Sequence, residues 1–160
     1  EINAGADDLG SPLTYDEMMN LAMKADGYEY IDTNDNTFLA PDSMIKAIMT
    51  YLNNDRLPLD ILINSVYHSL AKAYADVVKE IERISGKTVD TINIVGGGSK
   101  DAYLNKLTAQ YTKKRVLAGP VEATAVGNLI SQLIFNGVCG DLAEARELIK
   151  KSFEIKEVTK

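Results

Sequence analysis

The stretch that decides the fold is TINIVGGGS at residues 91–99. Its first five residues are mostly β-branched and predict a strand, and the glycines and serine that follow predict a turn that opens a helix. Glycine has no Cβ where a ligand approaches the backbone, and the first turn of a helix offers unpaired N–H groups and the positive end of its dipole. This arrangement favours the binding of a phosphate or a ribose.

A simpler interpretation of the glycines stays open, because a strand-to-helix turn in any α/β domain can use one glycine for its geometry. Two known phosphate motifs do not fit the run. The dinucleotide fingerprint needs a small residue where Asp101 stands, and a P-loop needs Gly-Lys-Ser or Gly-Lys-Thr after a strand. Gly86 and Lys87 form the only Gly-Lys pair, and no strand is predicted before it. A nucleotide bound here would need a different fold family.

The composition is that of a globular protein, with 160 residues, 46% hydrophobic and 25% charged, enough for one domain with a core. A formal charge of −6 without a basic, aromatic-rich stripe argues against nucleic acid as a main partner. Cys139 is the lone cysteine and His68 the lone histidine, which leaves too few ligands for a zinc site. A single cysteine excludes an internal disulfide and fits a reducing cytosol, so we expect a cytoplasmic protein. No signal peptide or membrane-spanning run is visible in the sequence. Because the chain begins at Glu1 rather than Met, we expect it to be a piece of something longer.

Residues 1–88 are predicted to be mostly helical. Thr14 and Glu17 form a capping box, and further helices are predicted from Pro41 and Pro58. The helix from Pro58 is the longest and ends at Gly86. Its predicted buried stripe is Leu62, Val66, Leu70, Ala73, Val77, Ile81 and Ile84.

Two smaller predictions concern this helical part. His68 lies opposite the predicted stripe, which favours a solvated histidine over a catalytic one. Phe38 and Leu39 follow a polar loop and are predicted to anchor it to the core.

The pattern of residues 89–140 predicts a β-α-β-α unit, with Ser99 capping its first helix. Residues 141–160 are predicted to form a final helix and a tail, and residues 153–155 could add a short edge strand. The elements of the unit are a strand at 91–95, a helix at 99–113, a strand at 115–118 and a helix at 121–137. Two parallel strands do not make a finished core, so we expect further strands from a region upstream of Glu1.

A second motif, GPVEATAVGN at residues 119–128, follows the second strand. One interpretation places Glu122 or Thr124 against the glycine turn, lining a nucleotide cleft. The other holds that the small residues serve close helix packing and that Glu122 suits a helix N-terminus.

These segments resemble a known family. Residues 92–99, 104–109 and 118–128 are similar to the C-terminal domain of the FGGY carbohydrate kinases. Residues 13–18 and 31–44 are similar, within that family, to the kinases that act on L-rhamnulose. The resemblance covers roughly residues 10 to 140.

The resemblance implies an α/β fold, a partial actin-like ATPase (ribonuclease H-like) domain that is helix-rich with a short parallel sheet. The chain would be one incomplete domain, the C-terminal part of a two-domain kinase that passes phosphate from ATP to the 1-hydroxyl of L-rhamnulose. Mapped onto matching positions, Gly96, Gly97, Gly98 and Ser99 would contact the adenosine and α-phosphate of ATP, and Asn105 would face adenine.

The resemblance also implies what residues 1–160 lack. The catalytic carboxylate and the Gly-Thr phosphate loop would lie in the missing N-terminal domain, which would be this chain's partner along with nucleotide and sugar. No catalytic or metal residue is assigned here, and Mg²⁺ would be held mainly elsewhere. Two alternatives remain: a non-catalytic nucleotide-binding or assembly module on the same scaffold, or a kinase for another ketose or polyol.

Overall fold

The computed structural model describes residues 13–158, which divide into two compact units between Ile84 and Ser85. The first unit is helical, as predicted. Its elements are α1 (Tyr15–Lys24), a 3-10 turn (Asn36–Phe38), α2 (Met44–Tyr51) and α3 (Leu59–Ser85). Among the described residues, no helix has the length and apolar content needed to cross a bilayer.

Side-chain caps set where the helices of the first unit begin. The predicted capping box is confirmed, since Thr14 Oγ1 accepts from the Glu17 N–H at 3.3 Å and Glu17 Oε2 accepts from the Thr14 N–H at 2.8 Å. Helix α2 begins later than predicted from Pro41, because Ser43 Oγ accepts from the Lys46 N–H and thereby caps the helix at Met44.

The predicted buried stripe of α3 is wrong over its second half. Val77 is 57% exposed and Ile84 is 71% exposed. The buried positions include polar ones, and they are Leu62, Ile63, Asn64, Ser65, Ser69, Ala71 and Ala75.

The polar burial on α3 has a hydrogen-bonding cause. The segment that follows α1 lies along this face, where the N–H of Glu29 donates to Ser65 Oγ at 2.8 Å and the N–H of Ile31 donates to Ser69 Oγ at 3.0 Å. Backbone groups removed from water need such partners. Hydrophobic periodicity does not detect a helix face that buries backbone through serine side chains.

The prediction that His68 is solvated is also wrong. Its ring stacks on Tyr28, with centroids 3.6 Å apart and planes inclined by 6°, and is half-buried. Burial lowers the pKa of His68 because it disfavours the charged imidazolium.

Leu39 does not anchor the polar loop, since it is 83% exposed. Phe38 does so in part, through a tilted ring contact with Tyr51 whose centroids are 5.2 Å apart. Tyr51 also accepts a hydrogen bond from the Asp32 N–H at 3.3 Å, so its ring and its hydroxyl together hold this loop against α2.

The second unit contains the predicted β-α-β-α order, followed by a final helix and a third strand. Its elements are β1 (Thr91–Ile94), a 3-10 turn (Gly97–Lys100), α4 (Ala102–Thr112), β2 (Arg115–Ala118), α5 (Ala123–Phe135), α6 (Leu142–Ser152) and β3 (Lys156–Val158).

The sheet is mixed, in the order β1-β2-β3. Strands β1 and β2 are parallel with Thr91 opposite Arg115, and β3 is antiparallel to β2 with Lys156 opposite Ala118. The edge strand predicted at 153–155 therefore forms three residues later. No described strand pairs with the outer edge of β1, and the supply of further strands from an upstream region stays a prediction.

The interior of the second unit has two parts. Helix α4 buries Leu107 and Ala109, and β2 buries Val116 and Ala118. A separate cluster between α5 and α6 is formed by Val126, Ile130, Cys139 and Ala145, with Leu133, Ile134 and Ile149 packed against it. Helix α4 thus packs against β2 and β3.

Candidate functional site

The glycine turn requires glycine at one of its three positions. Gly96 has φ +76°, a left-handed conformation, and its N–H donates to the carbonyl of Pro120 at 3.1 Å. Gly97 and Gly98 have no such φ. A Cβ on Gly97 would meet nothing within 4 Å, and one on Gly98 would only touch Ile94 Cγ2 at 4.0 Å. Turn geometry therefore explains Gly96 alone, and neither sterics nor φ requires glycine at the other two positions.

The helix predicted to begin at Ser99 begins later. Ser99 lies in the 3-10 turn, and its hydroxyl donates to the Gly96 carbonyl at 2.6 Å, which closes the turn. Asp101 caps α4 instead, because its Oδ1 accepts from the Leu104 N–H at 2.9 Å.

Asn105 carries a buried polar atom that has no hydrogen-bond partner among the described residues. It is 2% exposed, and its Nδ2 donates to the Ser99 carbonyl at 3.1 Å. Since a carbonyl only accepts, the amide nitrogen must face Ser99, and Oδ1 is left as a buried acceptor. Within residues 13–158 no donor reaches this oxygen. An unsatisfied buried acceptor costs about 1–3 kcal/mol, so a ligand that donates here would remove that cost.

Asn105 lines a cavity of about 670 Å³, a volume suited to a small ligand such as a nucleotide. Its walls come from the turn, the start of α4, the end of β2 and the C-terminal segment. The lining residues are Ser99, Lys100, Ala102, Asn105, Lys106, Ala118, Gly119, Val121, Glu154, Lys156, Glu157 and Val158. Of the predicted site residues, the structure brings Ser99 and Asn105 to this cavity, whereas Gly96, Gly97 and Gly98 lie beside it without lining it.

Gly119 directly follows β2 and packs against the backbone of the C-terminal segment at Glu154. Its N–H donates to the Ile94 carbonyl at 2.8 Å, and its φ is +118°. A Cβ on Gly119 would lie 2.6 Å from the carbonyl oxygen of Glu154, closer than atoms can pack. The GPVEATAVGN motif therefore needs its first glycine to let two backbone segments meet.

The rest of that motif fits the two interpretations only in part, since Glu122 stands at the N-cap of α5, as the second one expects, but makes no side-chain capping bond. Val121 lines the cavity, whereas Glu122 and Thr124 are exposed and outside its lining. Gly127 is exposed and a Cβ there would meet nothing within 4 Å, so close helix packing is not seen either.

The charges around the cavity leave an excess of positive groups. Glu154 pairs with Lys156 at 3.5 Å, and Glu157 pairs with Arg115 at 2.6 Å. The hydrogen bond from Arg115 holds the pKa of Glu157 below its usual value. Two further cations of the lining, Lys100 and Lys106, have no carboxylate within ion-pair distance in the part of the chain that the structure describes. The rim therefore suits an anion.

No three His, Cys, Asp or Glu side chains between residues 13 and 158 come together as a metal-binding group. Among the described residues, the cavity and its surroundings combine one buried amide acceptor, exposed lysines, two carboxylates and a neighbouring glycine turn.

Comparison with known proteins assigns the chain to a family. Residues 4–135 match the C-terminal domain of the FGGY family of carbohydrate kinases. The chain belongs to this family. The resemblance predicted from residues 92–99, 104–109 and 118–128 is thereby confirmed, as is the actin-like ATPase fold class that it implied.

Several relatives within the FGGY family are named rhamnulokinase. The one from Bacillus subtilis (strain 168) is 37% identical over 156 residues, which cover 94% of this chain and 32% of the relative. Those from Lactiplantibacillus plantarum and Halalkalibacterium halodurans are 36% and 43% identical, over 93% and 79% of this chain. This FGGY chain spans 28–32% of the length of these relatives.

Proposed function

We propose that this chain is the ATP-binding part of a carbohydrate kinase that transfers a phosphoryl group from ATP to the 1-hydroxyl of L-rhamnulose. Family membership supports a carbohydrate kinase, and the names of the similar proteins support L-rhamnulose as the sugar. The intact enzyme acts in the cytoplasm, where ATP is available.

The observation that carries the nucleotide assignment is the buried, unsatisfied Oδ1 of Asn105. This oxygen can only accept a hydrogen bond, and adenine presents a donor in its 6-amino group. Guanine has a carbonyl at that position, so a second acceptor would face Oδ1 and repel it. Asn105 thus selects ATP over GTP, in agreement with the adenine contact expected at this residue.

The glycine turn and the lysines serve the other end of the nucleotide. Gly97 and Gly98 leave room for a phosphate or ribose to approach the backbone, while Lys100 and Lys106 supply positive charge. Phosphoryl transfer depends mostly on positioning and charge neutralisation. This chain positions ATP, whereas the catalytic carboxylate and the main ligands of Mg²⁺ belong to the missing N-terminal domain. When bound, Mg²⁺ neutralises phosphate charge.

Calorimetric titration of the full-length protein with ATP, ADP and GTP tests the nucleotide assignment. We expect ATP and ADP to bind, and we expect GTP to bind at least about tenfold more weakly. With GTP, the buried hydrogen bond to Asn105 Oδ1 is lost and two acceptor oxygens face each other instead. Failure of ATP to bind would refute the assignment.

A screen of ketoses and polyols with the same protein tests the sugar. We expect the highest kcat/KM for L-rhamnulose. A preference for another ketose or polyol would make it a different FGGY kinase, and ATP binding without transfer to any of them would favour the non-catalytic module.

Two variants, Gly97→Ala and Gly98→Ala, test whether the turn needs these glycines for ligand binding or for its own backbone geometry. Because a Cβ has room at both positions, thermal stability should stay unchanged, whereas the KM for ATP should rise about tenfold and the KM for sugar should not. Gly27→Ala, another site with open space for a Cβ, is the matched control and should leave both constants unchanged. An unchanged KM for ATP in both turn variants contradicts the ligand role.

A further inference from the structure

The C-terminal segment forms one wall of the nucleotide cavity. Glu154, Lys156, Glu157 and Val158 all line it, although they lie beyond residues 4–135, which match the family. They share the lining of this cavity with Asn105. Part of the cavity wall therefore comes from a segment of the chain that neither sequence motif includes.

Three contacts hold this wall against β2. Gly119 allows the carbonyl of Glu154 to approach its backbone, β3 pairs with β2 in antiparallel register, and Arg115 forms an ion pair with Glu157 at 2.6 Å. The position of β3 at the cavity is thus set by backbone contacts as well as by side chains.

Lys156 is the cation of this wall. It stands opposite Ala118 in the β2-β3 register, and directly paired residues project from the same face of a sheet. Ala118 also lines the cavity. Lys156 Nζ is 3.5 Å from Glu154 Oε1, with both side chains at least 70% exposed, so this ion pair is weak and its ammonium can change partner.

We propose that Lys156 is a nucleotide-binding residue that contacts the phosphates of ATP. An ammonium group offers three donors and no acceptor, which suits phosphate oxygens better than a purine edge. Lys100, Lys106 and Lys156 come from the turn, α4 and β3 and surround one cavity, which concentrates positive charge on a polyphosphate. This inference rests on the proposed function, and it adds β3 to the machinery that holds ATP.

Titration of the full-length Lys156→Gln variant with ATP, ADP and adenosine tests the inference. We expect ATP and ADP affinity to fall about three- to tenfold, a range typical of an exposed charge contact, while adenosine affinity stays unchanged. The loss should shrink at high salt, since salt screens exposed charges. Lys156→Arg should retain most of the affinity. Lys151→Gln, an exposed lysine in the last turn of α6 outside the cavity, is the matched control and should bind as wild type.

Two results would overturn the inference while the proposed function stands. One is ATP binding by Lys156→Gln equal to that of the wild type, and the other is an equal loss for adenosine, which would mean that the side chain does not contact phosphate. Absence of ATP binding to the wild-type protein would instead overturn the proposed function, and this inference with it.

Discussion

Replacing Gly119 by alanine is expected to destabilise the second unit by about 3 kcal/mol, the sum of a strained backbone and a steric clash. The φ of +118° disfavours any residue with a Cβ, and that Cβ would lie 2.6 Å from the carbonyl oxygen of Glu154. The three nearest atoms all belong to the backbone of Glu154 and Ile155, so no flexible side chain can move aside. The segment from Glu154 to β3 should therefore detach from β2.

Two measurements on the full-length protein check this expectation. Urea unfolding should show the lost stability, and amide hydrogen exchange should become faster in β2 and β3 before other regions. ATP affinity should fall as well, because the detached segment forms one wall of the cavity.

Gly127→Ala is the control for the Gly119 substitution. This glycine lies inside α5, and a Cβ added to it would meet no atom within 4 Å, so alanine should stabilise the helix by up to about 1 kcal/mol. Equal stability of the Gly119→Ala and wild-type proteins would show that the close contact with Glu154 does not constrain the fold.

Replacing Asn105 by alanine is expected to weaken ATP binding by about 10- to 100-fold, as removal of a buried hydrogen-bond partner implies. The substitution removes the Oδ1 acceptor proposed for the adenine amino group. GTP affinity should change much less, since no favourable contact to guanine is lost. The ATP to GTP preference should therefore collapse, and competition titrations measure it directly.

Some of this effect could come from the fold, because Asn105 also donates to the Ser99 carbonyl. The melting temperature separates the two contributions, since a structural defect would lower the affinity for both nucleotides together. Asn128→Ala, an exposed asparagine on α5 outside the cavity, should change neither. An unchanged ATP to GTP ratio in Asn105→Ala would contradict the adenine contact.

Much of the order of helices and strands in both units could be predicted from sequence, because its signals are local. The β-branched run at 91–94, the capping box at Thr14 and Glu17, and the positive-φ glycine at 86 each depend on residues close together in the chain. The predicted alternation of strands and helices from residue 91 to residue 135 is confirmed for the same reason.

The candidate site was only partly predictable. The residue pattern indicated that the glycine turn binds a ligand. Asn105 was assigned to the site from the family resemblance, because a single asparagine on a helix carries no signal by itself. Lys156 and its neighbours were missed, because β3 forms three residues later than predicted and its role depends on pairing with β2. The only available clue was Gly119, whose need for glycine comes from Glu154, 35 positions along the chain.

Residue order alone was enough to predict the succession of helices and strands, the capping box and the family, because periodicity, capping and motif spacing are properties of neighbouring residues. Which polar groups are buried, and which segments share the cavity, depended on the folded chain. The Ser65 and Ser69 hydroxyls accept from backbone N–H groups that lie 36 and 38 residues away, and Asn105 keeps an acceptor without a donor. Burial removes water as a hydrogen-bond partner, and the fold determines which polar groups are buried.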